Sequence, residues 1–514
     1  MIMDKDRKSW NKNYIVNAWT TIYCVILFLI FPLYFQNSYI DILEAKTGFF
    51  IISAVIYLVG CIVIMLPPIF MKRLQKKGQS SEKEKKHKFS PVNAFCAVLI
   101  LSIIMSVVMA DNYSEIIWGI NGRYFGAAIL ILCIGLYYCF SRWFQWSPLF
   151  LWSCLGGASI VSIMAVLNRF GIDIFRMYEA IDPAQVQDYL STIGQINILS
   201  GFLCIFFPLF TGLFLYSKTY FSKFFYGLGS ILVYVAGICS NSDSFFMAMG
   251  IVFIFYFTVA LDDRKKLSDW FLLMCMESAA ILIIKLVSSL IEFSVWRELQ
   301  EAWINHVPWM FFAVLFLLLF LVLKGKKYIG DNFFQRLKNF WIFLLVIVCV
   351  AGVCYIIVIN VLPYGRNSSF VENWFVFGDK WGTNRGYVWR RTLELFTELP
   401  LKNHIFGVGP GEFSNFFEHY FLDSISKFGY YFEDAHSEFL QFLVTTGIIG
   451  LTGYIGMIVS TIVLCIREKT EMKIILMAFF LVWIAQAMVN NPTVFTTPYL
   501  FVMMGISQIP YKDS

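Results

Sequence analysis

Long apolar runs separated by short polar hinges recur along the whole chain. They fall near residues 15–36, 48–70, 91–110, 124–140, 147–168, 195–216, 224–239, 244–260, 268–290, 306–323, 338–361, 437–465, 473–489 and 493–509. At a rise of ~1.5 Å per residue, roughly 20 apolar residues cross the ~30 Å hydrocarbon core of a bilayer. The pattern therefore predicts about 14 transmembrane helices (12–14). One stretch breaks the rhythm: residues 362–436 form by far the longest segment that does not span, and it is not low in complexity. The expected fold is an all-α integral membrane protein, residues 1–514 forming a single polytopic domain with a large loop before the last three spans.

Composition agrees. Of 514 residues, 59% are hydrophobic and only 14% charged, where soluble domains carry about a quarter charged residues. The first apolar run, near Ile15–Phe35, is too long for a signal-peptide core and lacks a small-residue cleavage site, so it reads as a first span. The 12 cysteines are scattered without a CxxC pair and read as small apolar residues.

Charge sets an orientation. Lys5, Arg7, Lys8 and Lys12, the stretch Lys72–Lys88, Arg264-Lys265-Lys266, the run Lys324–Lys338, and Arg467, Lys469 and Lys473 all fall on one side. The positive-inside rule makes that side cytoplasmic, both termini included, and puts residues 362–436 outside the cytoplasmic (inner) membrane. Residues 71–90 read as a basic, solvated cytoplasmic linker, with contact to anionic lipid head groups as the alternative. Nothing accompanies these charges that would suggest nucleic-acid binding.

The outer loop holds the dense polar pattern. Asn384–Glu398 has helical spacing, with Val388, Thr392, Leu395 and Phe396 near one face and Arg390 and Glu394 as an i,i+4 pair. Such a helix could lie on the membrane surface, apolar face down. Gly407-Val408-Gly409-Pro410-Gly411 packs three glycines and a proline into five residues, a tight turn. Without a following Lys-Ser/Thr it is not a nucleotide loop. His436 stands just before the next apolar run, with Glu433 and Asp434 beside it and Glu438 after it. A histidine so placed is either a general base tuned by a carboxylate or a structural residue of the interface. Only five histidines exist and no HExxH or Cys/His cluster appears, so no metal site is expected.

Together these residues resemble the O-antigen ligase and O-antigen polymerase family. The matching pieces are Arg385 through Trp389-Arg390, Pro400-Leu401, Gly407–Phe413, Ala435-His436-Ser437-Glu438-Phe439-Leu440 and Gly447-Ile-Ile-Gly450. Upstream, Gly119–Gly126 around Arg123 and Gly194-Gln195-Ile196-Asn197 fit less strongly. Many relatives carry Ser-Arg-Gly at the outer end of a middle span; here the corresponding stretch is Ser240-Asn241-Ser242-Asp243-Ser244, an aspartate where the cation would be. Asp243 could contact sugar hydroxyls, pair with Arg123, or simply be exposed.

The resemblance implies a metal-independent glycosyltransferase without a cofactor. A glycan on a polyprenyl diphosphate would pass to an acceptor hydroxyl on the outer membrane face, in cell-surface polysaccharide assembly. The acceptor would be a glycan, a lipid or a wall polymer, with membrane lipids around the site and no nucleic acid involved. Arginine forks suit the departing diphosphate, which makes Arg123, Arg385 and Arg390 or Arg391 the candidates, with Asp243 and Glu438 as further substrate contacts. His436 is the candidate base for the acceptor hydroxyl. Lys285, within a span, would snorkel or pair with Glu277. The rival class is a lipid-linked oligosaccharide flippase or other transporter, which predicts charges spread through the spans and an internal repeat; neither is evident.

Overall fold

The computed structural model describes residues 3–75, 90–109, 113–119, 123–291, 293–325, 331–362, 369–421, 423–429 and 431–510. Most of the basic 71–90 segment lies outside the described residues; its start, to Gln75, continues the helix Ile42–Gln75. The described chain is all-α but for one antiparallel pairing of Tyr189–Leu190 with Gly194–Gln195. Ten helices are long and apolar enough to cross a membrane, and a bent pair, Glu298–Asn305 with Trp309–Gly325, makes an eleventh if counted as one span. Three shorter apolar helices, Ala127–Trp143, Ser244–Ala260 and Thr497–Ile506, coincide with three of the expected runs. Every apolar run read from the sequence is thus helical, although not every one is long enough to span unaided.

Helix Ile196–Tyr216 is the centre, buried along almost its whole length. It packs against Tyr220–Cys239, Ser244–Ala260 and Glu471–Val489. Pro208 sits inside it, and Tyr256 donates its hydroxyl hydrogen to the Pro208 carbonyl at 2.6 Å. Thr497–Ile506 is buried throughout, yet at 10 residues it covers only ~15 Å. The irregular stretch 490–496 before it supplies the rest of the path. Non-helical backbone inside a membrane protein is tolerated where it lines a cavity, and Asn490, Asn491 and Thr493 do line one.

At the other extreme, Asn332–Val361 is barely packed, with 6% of its apolar window buried. It is held near one end by Lys338 on Asp262 and by Trp341, whose ring meets Phe257 and whose indole N–H donates to Thr258 at 3.0 Å. Near the other end Asn360 bonds the Phe375 carbonyl and the Phe377 amide.

The 369–436 region builds its own small core. Tyr387, Val388, Leu395, Phe413, Phe417, Phe432 and Ala435 bury one another together with Val444 of the next helix. The Trp381–Glu398 helix therefore turns its apolar face into this core rather than down onto a membrane surface, which corrects the sequence reading. The reason is supply: Phe413, Phe417 and Phe421 recur every fourth residue and offer a closer apolar partner.

The glycine-rich turn fastens this unit to the spans. Helix Glu438–Glu468 is broken at Gly447, whose φ of 68° and ψ of −175° lie outside the helical region. A break strands the carbonyls of the preceding turn, and buried carbonyls must find donors. Val408 N–H donates to Val444 O and Gly409 N–H to Thr445 O, both at 2.9 Å, while the Ser102 hydroxyl takes Thr446 O. Contact is so close that a Cβ on Gly407 would lie 2.3 Å from the Thr445 carbonyl, and one on Gly447 2.3 Å from the Ile405 oxygen. The turn joins packed elements by its backbone.

Candidate active site

His436 is held at the seam between loop and spans, with a left-handed φ of 47°. Backbone strain of this kind, about 1–3 kcal/mol, persists where surroundings over-determine it. Those surroundings are on hand: Asp434 accepts the His436 amide at 3.0 Å, and Trp389 donates its indole N–H to the His436 carbonyl at 3.4 Å. Gln441, one turn into the next helix, accepts the Ala435 amide at 2.9 Å.

The ring is fixed as well. Nδ1 lies 3.2 Å from the Asp434 carboxylate and 3.3 Å from the Asn491 side-chain amide. That leaves Nε2 for the cavities the ring borders. Asp434 is buried and is itself gripped by Arg123, whose Nη2 stands 3.0 Å away while Nε bonds Glu433 at 2.8 Å. Burial would push the Asp434 carboxyl up, but His436, Arg123 and hydrogen bonds from the His436 amide and Asn491 outweigh it and hold it low. Burial pulls the His436 pKa below 6.5, reinforced by Arg385 and Arg123 and opposed chiefly by Asp434. A neutral imidazole near pH 7 can accept a proton.

Arg385 is the second element. Three successive left-handed residues, Gly382, Thr383 and Asn384, turn the chain just before it. A β-branched residue such as Thr383 rarely adopts that conformation. Among the described residues the guanidinium bonds only backbone carbonyls, Val489 O from Nε at 2.9 Å and Gly382 O from Nη1 at 2.7 Å. Among the described residues no carboxylate forms an ion pair with it. Burial lowers its pKa, against the fields of Asp434 and Asp243, yet a guanidinium stays charged at any ordinary pH.

Two cavities meet at these residues. The larger, about 960 Å³, is walled by Asp243, Arg297, Trp374 and Trp381 among others. The smaller, about 420 Å³, is walled by Arg123, Glu438, Asn490 and Asn491 among others. Tyr189, Gln195, Asn197, Arg385 and His436 border both. A separate cleft of about 810 Å³ between the first two helices contains none of the candidate residues.

The sequence-derived residues thus divide. Arg123, Arg385 and His436 come together, and Asp243 and Glu438 reach one cavity each. Glu438 is buried, with the Tyr454 hydroxyl donating to its carboxylate and Trp483 donating to that hydroxyl. Arg390 and Arg391 are not brought in. Arg390 pairs with Asp379 at 2.7 Å and Glu394 at 3.2 Å, and Arg391 with Glu394 at 2.7 Å while its guanidinium lies over Phe421. Asp243 does not pair with Arg123, which Glu433 and Asp434 occupy; Gln300 donates to it at 3.3 Å. Lys285 donates to the Asn305 carbonyl at 3.0 Å rather than meeting Glu277, which bonds Ser230.

Three contributors escaped the sequence reading. Asn491 on the imidazole comes from an irregular stretch between apolar helices, where no spacing marks it. Arg297 projects from the N-cap of Glu298–Asn305 and pairs with Asp188 at 3.3 Å. Arg169 is wholly buried, donating to the Cys239 carbonyl at 2.7 Å and to Gln187 at 2.6 Å, and so ties the 183–195 segment to the spans. An arginine at the end of an apolar helix was its only mark.

Among the described residues no group of His, Cys, Asp and Glu is arranged to hold a metal ion. No curated protein matches the chain. Residues 306–455 match the family model described as O-antigen ligase. That stretch, which carries Arg385, His436 and the glycine-lined seam, is similar to the O-antigen ligase family.

Proposed function

We propose that this multi-pass membrane protein moves a glycan from a polyprenyl-diphosphate donor to an acceptor hydroxyl, without a metal, at the outer face of the cytoplasmic membrane. In this reading the termini are cytoplasmic and residues 362–436 extracytoplasmic. The family match supports ligase or polymerase chemistry in general. The observation that carries the finer reading is the Asp434–His436 pair facing Arg385 where two cavities join.

His436 Nε2 takes the proton of the acceptor hydroxyl as its oxygen attacks the anomeric carbon. The bond from that carbon to the phosphate oxygen breaks, and its electron pair leaves with the lipid diphosphate. Arg385, a half-buried guanidinium with no ion pair among the described residues, meets that growing charge, and Arg123 adds a second positive field. Asp434 keeps the imidazole oriented and steadies it once protonated. The energy lies in the diphosphate linkage, so the residues need supply only position and charge.

The test is transfer by the purified full chain with a defined polyprenyl-diphosphate oligosaccharide. Lengthened lipid-linked chains mark a polymerase, and transfer to a distinct acceptor marks a ligase. No turnover with either acceptor type would overturn the proposal, as would full activity in His436→Ala.

A further inference from the structure

The two cavities that meet at His436 are built for different guests. The larger carries Asp188, Asp243, Glu298, Glu372 and Asp379 on its wall. Against them stand Arg297, Lys380 and Arg385; Arg297 is engaged by Asp188 and Asp379 by Arg390, which leaves three carboxylates facing two cations. A diphosphate entering there would meet more negative than positive charge. The smaller cavity sets two arginines, Arg123 and Arg385, beside Glu433 and Glu438; Arg123 is held by Glu433 and Asp434, Glu438 is bonded by Tyr454, and Arg385 has no ion pair among the described residues. It also has an apolar side at Ile40, Leu43, Ile198 and Phe495. A phosphate on an isoprenoid chain suits that combination.

The larger cavity has what a saccharide needs. Indole rings offer flat apolar faces to the C–H side of a sugar ring, and Trp374 and Trp381 both reach the wall. The Trp381 ring is held by Phe377 and Trp389 and by its N–H on the Trp374 carbonyl at 3.0 Å, so that platform is preformed. Carboxylates accept hydrogen bonds from hydroxyl groups, and side-chain amides both accept and donate them. Ser242 bonds Asn197 at 2.7 Å and so fixes one such amide on the shared wall.

We infer that the larger cavity is the acceptor-saccharide site, selecting neutral or amine-bearing sugars and rejecting acidic ones, while the donor diphosphate occupies the smaller cavity. This rests on the transfer reaction proposed above. His436 then stands between them, its Nε2 reached by an acceptor hydroxyl from one side and the anomeric carbon held from the other. The excess of carboxylates is the selective element, because a uronic acid or sulfated sugar would be placed against like charge.

The experiment uses the purified full chain and two soluble oligosaccharides of equal length, one neutral and one carrying uronic acids, followed by tryptophan fluorescence. The neutral saccharide should bind at least about tenfold more tightly, the effect of one poorly screened like charge. Trp374→Ala should abolish most of that binding, and Asp243→Asn with Glu372→Gln should narrow the preference. In the transfer assay these variants should raise the acceptor KM and leave the donor KM unchanged. Equal binding of the two saccharides would overturn the selectivity, and a raised donor KM with an unchanged acceptor KM would exchange the two sites. The wild-type comparison needs no variant to fold. Saccharide binding without any transfer would support the site and overturn the reaction instead.

Discussion

Replacing Asp434 with asparagine keeps the shape of the side chain and removes its charge, so it asks what the carboxylate does for His436. Nδ1 lies 3.2 Å from that carboxylate. At this distance a unit charge pair is worth about 1.3 kcal/mol in bulk water and about 5 kcal/mol at an effective dielectric constant near 20. Arg123 already spends part of the carboxylate's field, so a value of about 1.4–2.7 kcal/mol is reasonable, or one to two pKa units. The sign follows from the causes. Burial lowers the His436 pKa and Asp434 raises it, so losing the charge lowers it further. The proposed reaction uses the neutral imidazole as base, so its rate should fall as pH drops through that pKa. In Asp434→Asn the acid limb of the kcat profile should therefore move to lower pH by about one to two units. Its plateau should fall by about 10²–10⁴, because the imidazolium formed on proton transfer loses its partner. The assay is kcat against pH with saturating donor and acceptor. A limb displaced to higher pH, or a plateau within threefold of the wild type, would refute the assignment of this pair.

Arg385→Ala should raise the donor KM and lower kcat, together by about 10²-fold or more in kcat/KM, if its guanidinium meets the diphosphate; unchanged donor kinetics would exclude it. Arg390→Ala should leave both steady-state constants within about threefold, since its ion pairs are half exposed and worth at most about 1 kcal/mol. Phe417→Ala, deep in the small core of the 369–436 region, should cost about 3–5 kcal/mol of local stability, read as faster proteolysis between 369 and 436 with the spans intact. Gly447→Ala puts a methyl group 2.3 Å from a carbonyl oxygen at a positive φ, and should lower the thermal midpoint in detergent by several degrees, about 2 kcal/mol or more.

The helices were legible because apolar length is a local property, and each run that looked helical is so. His436 and Arg385 were legible as types in an order. What they face was not, since partners come from 189–197, 297 and 490–491, joined only by folding. One miss had a readable signal. At ~100° per residue, Arg390 and Arg391 point roughly 140° and 240° away from Arg385 on a regular helix, so the three could not serve one site. The apolar face of Trp381–Glu398 was read correctly but given the wrong partner, because a sequence shows that a face must be covered and not by what. The 14-run count met a limit of length: Ala127–Trp143, Ser244–Ala260 and Thr497–Ile506 are apolar and helical but short.

The seam at Gly447 also bears on how such a protein can change its substrates. It is written almost wholly in main-chain groups, so it holds the loop and its histidine at a fixed height whatever side chains surround it. Apart from Arg385 and His436, the charged and aromatic walls of the larger cavity come from other stretches, around 188, 243, 297 and 372–383. On the proposed reaction, base and most of the acceptor lining are therefore separate in the chain: new acceptor preferences would be sampled one wall residue at a time while the reacting centre stays in register.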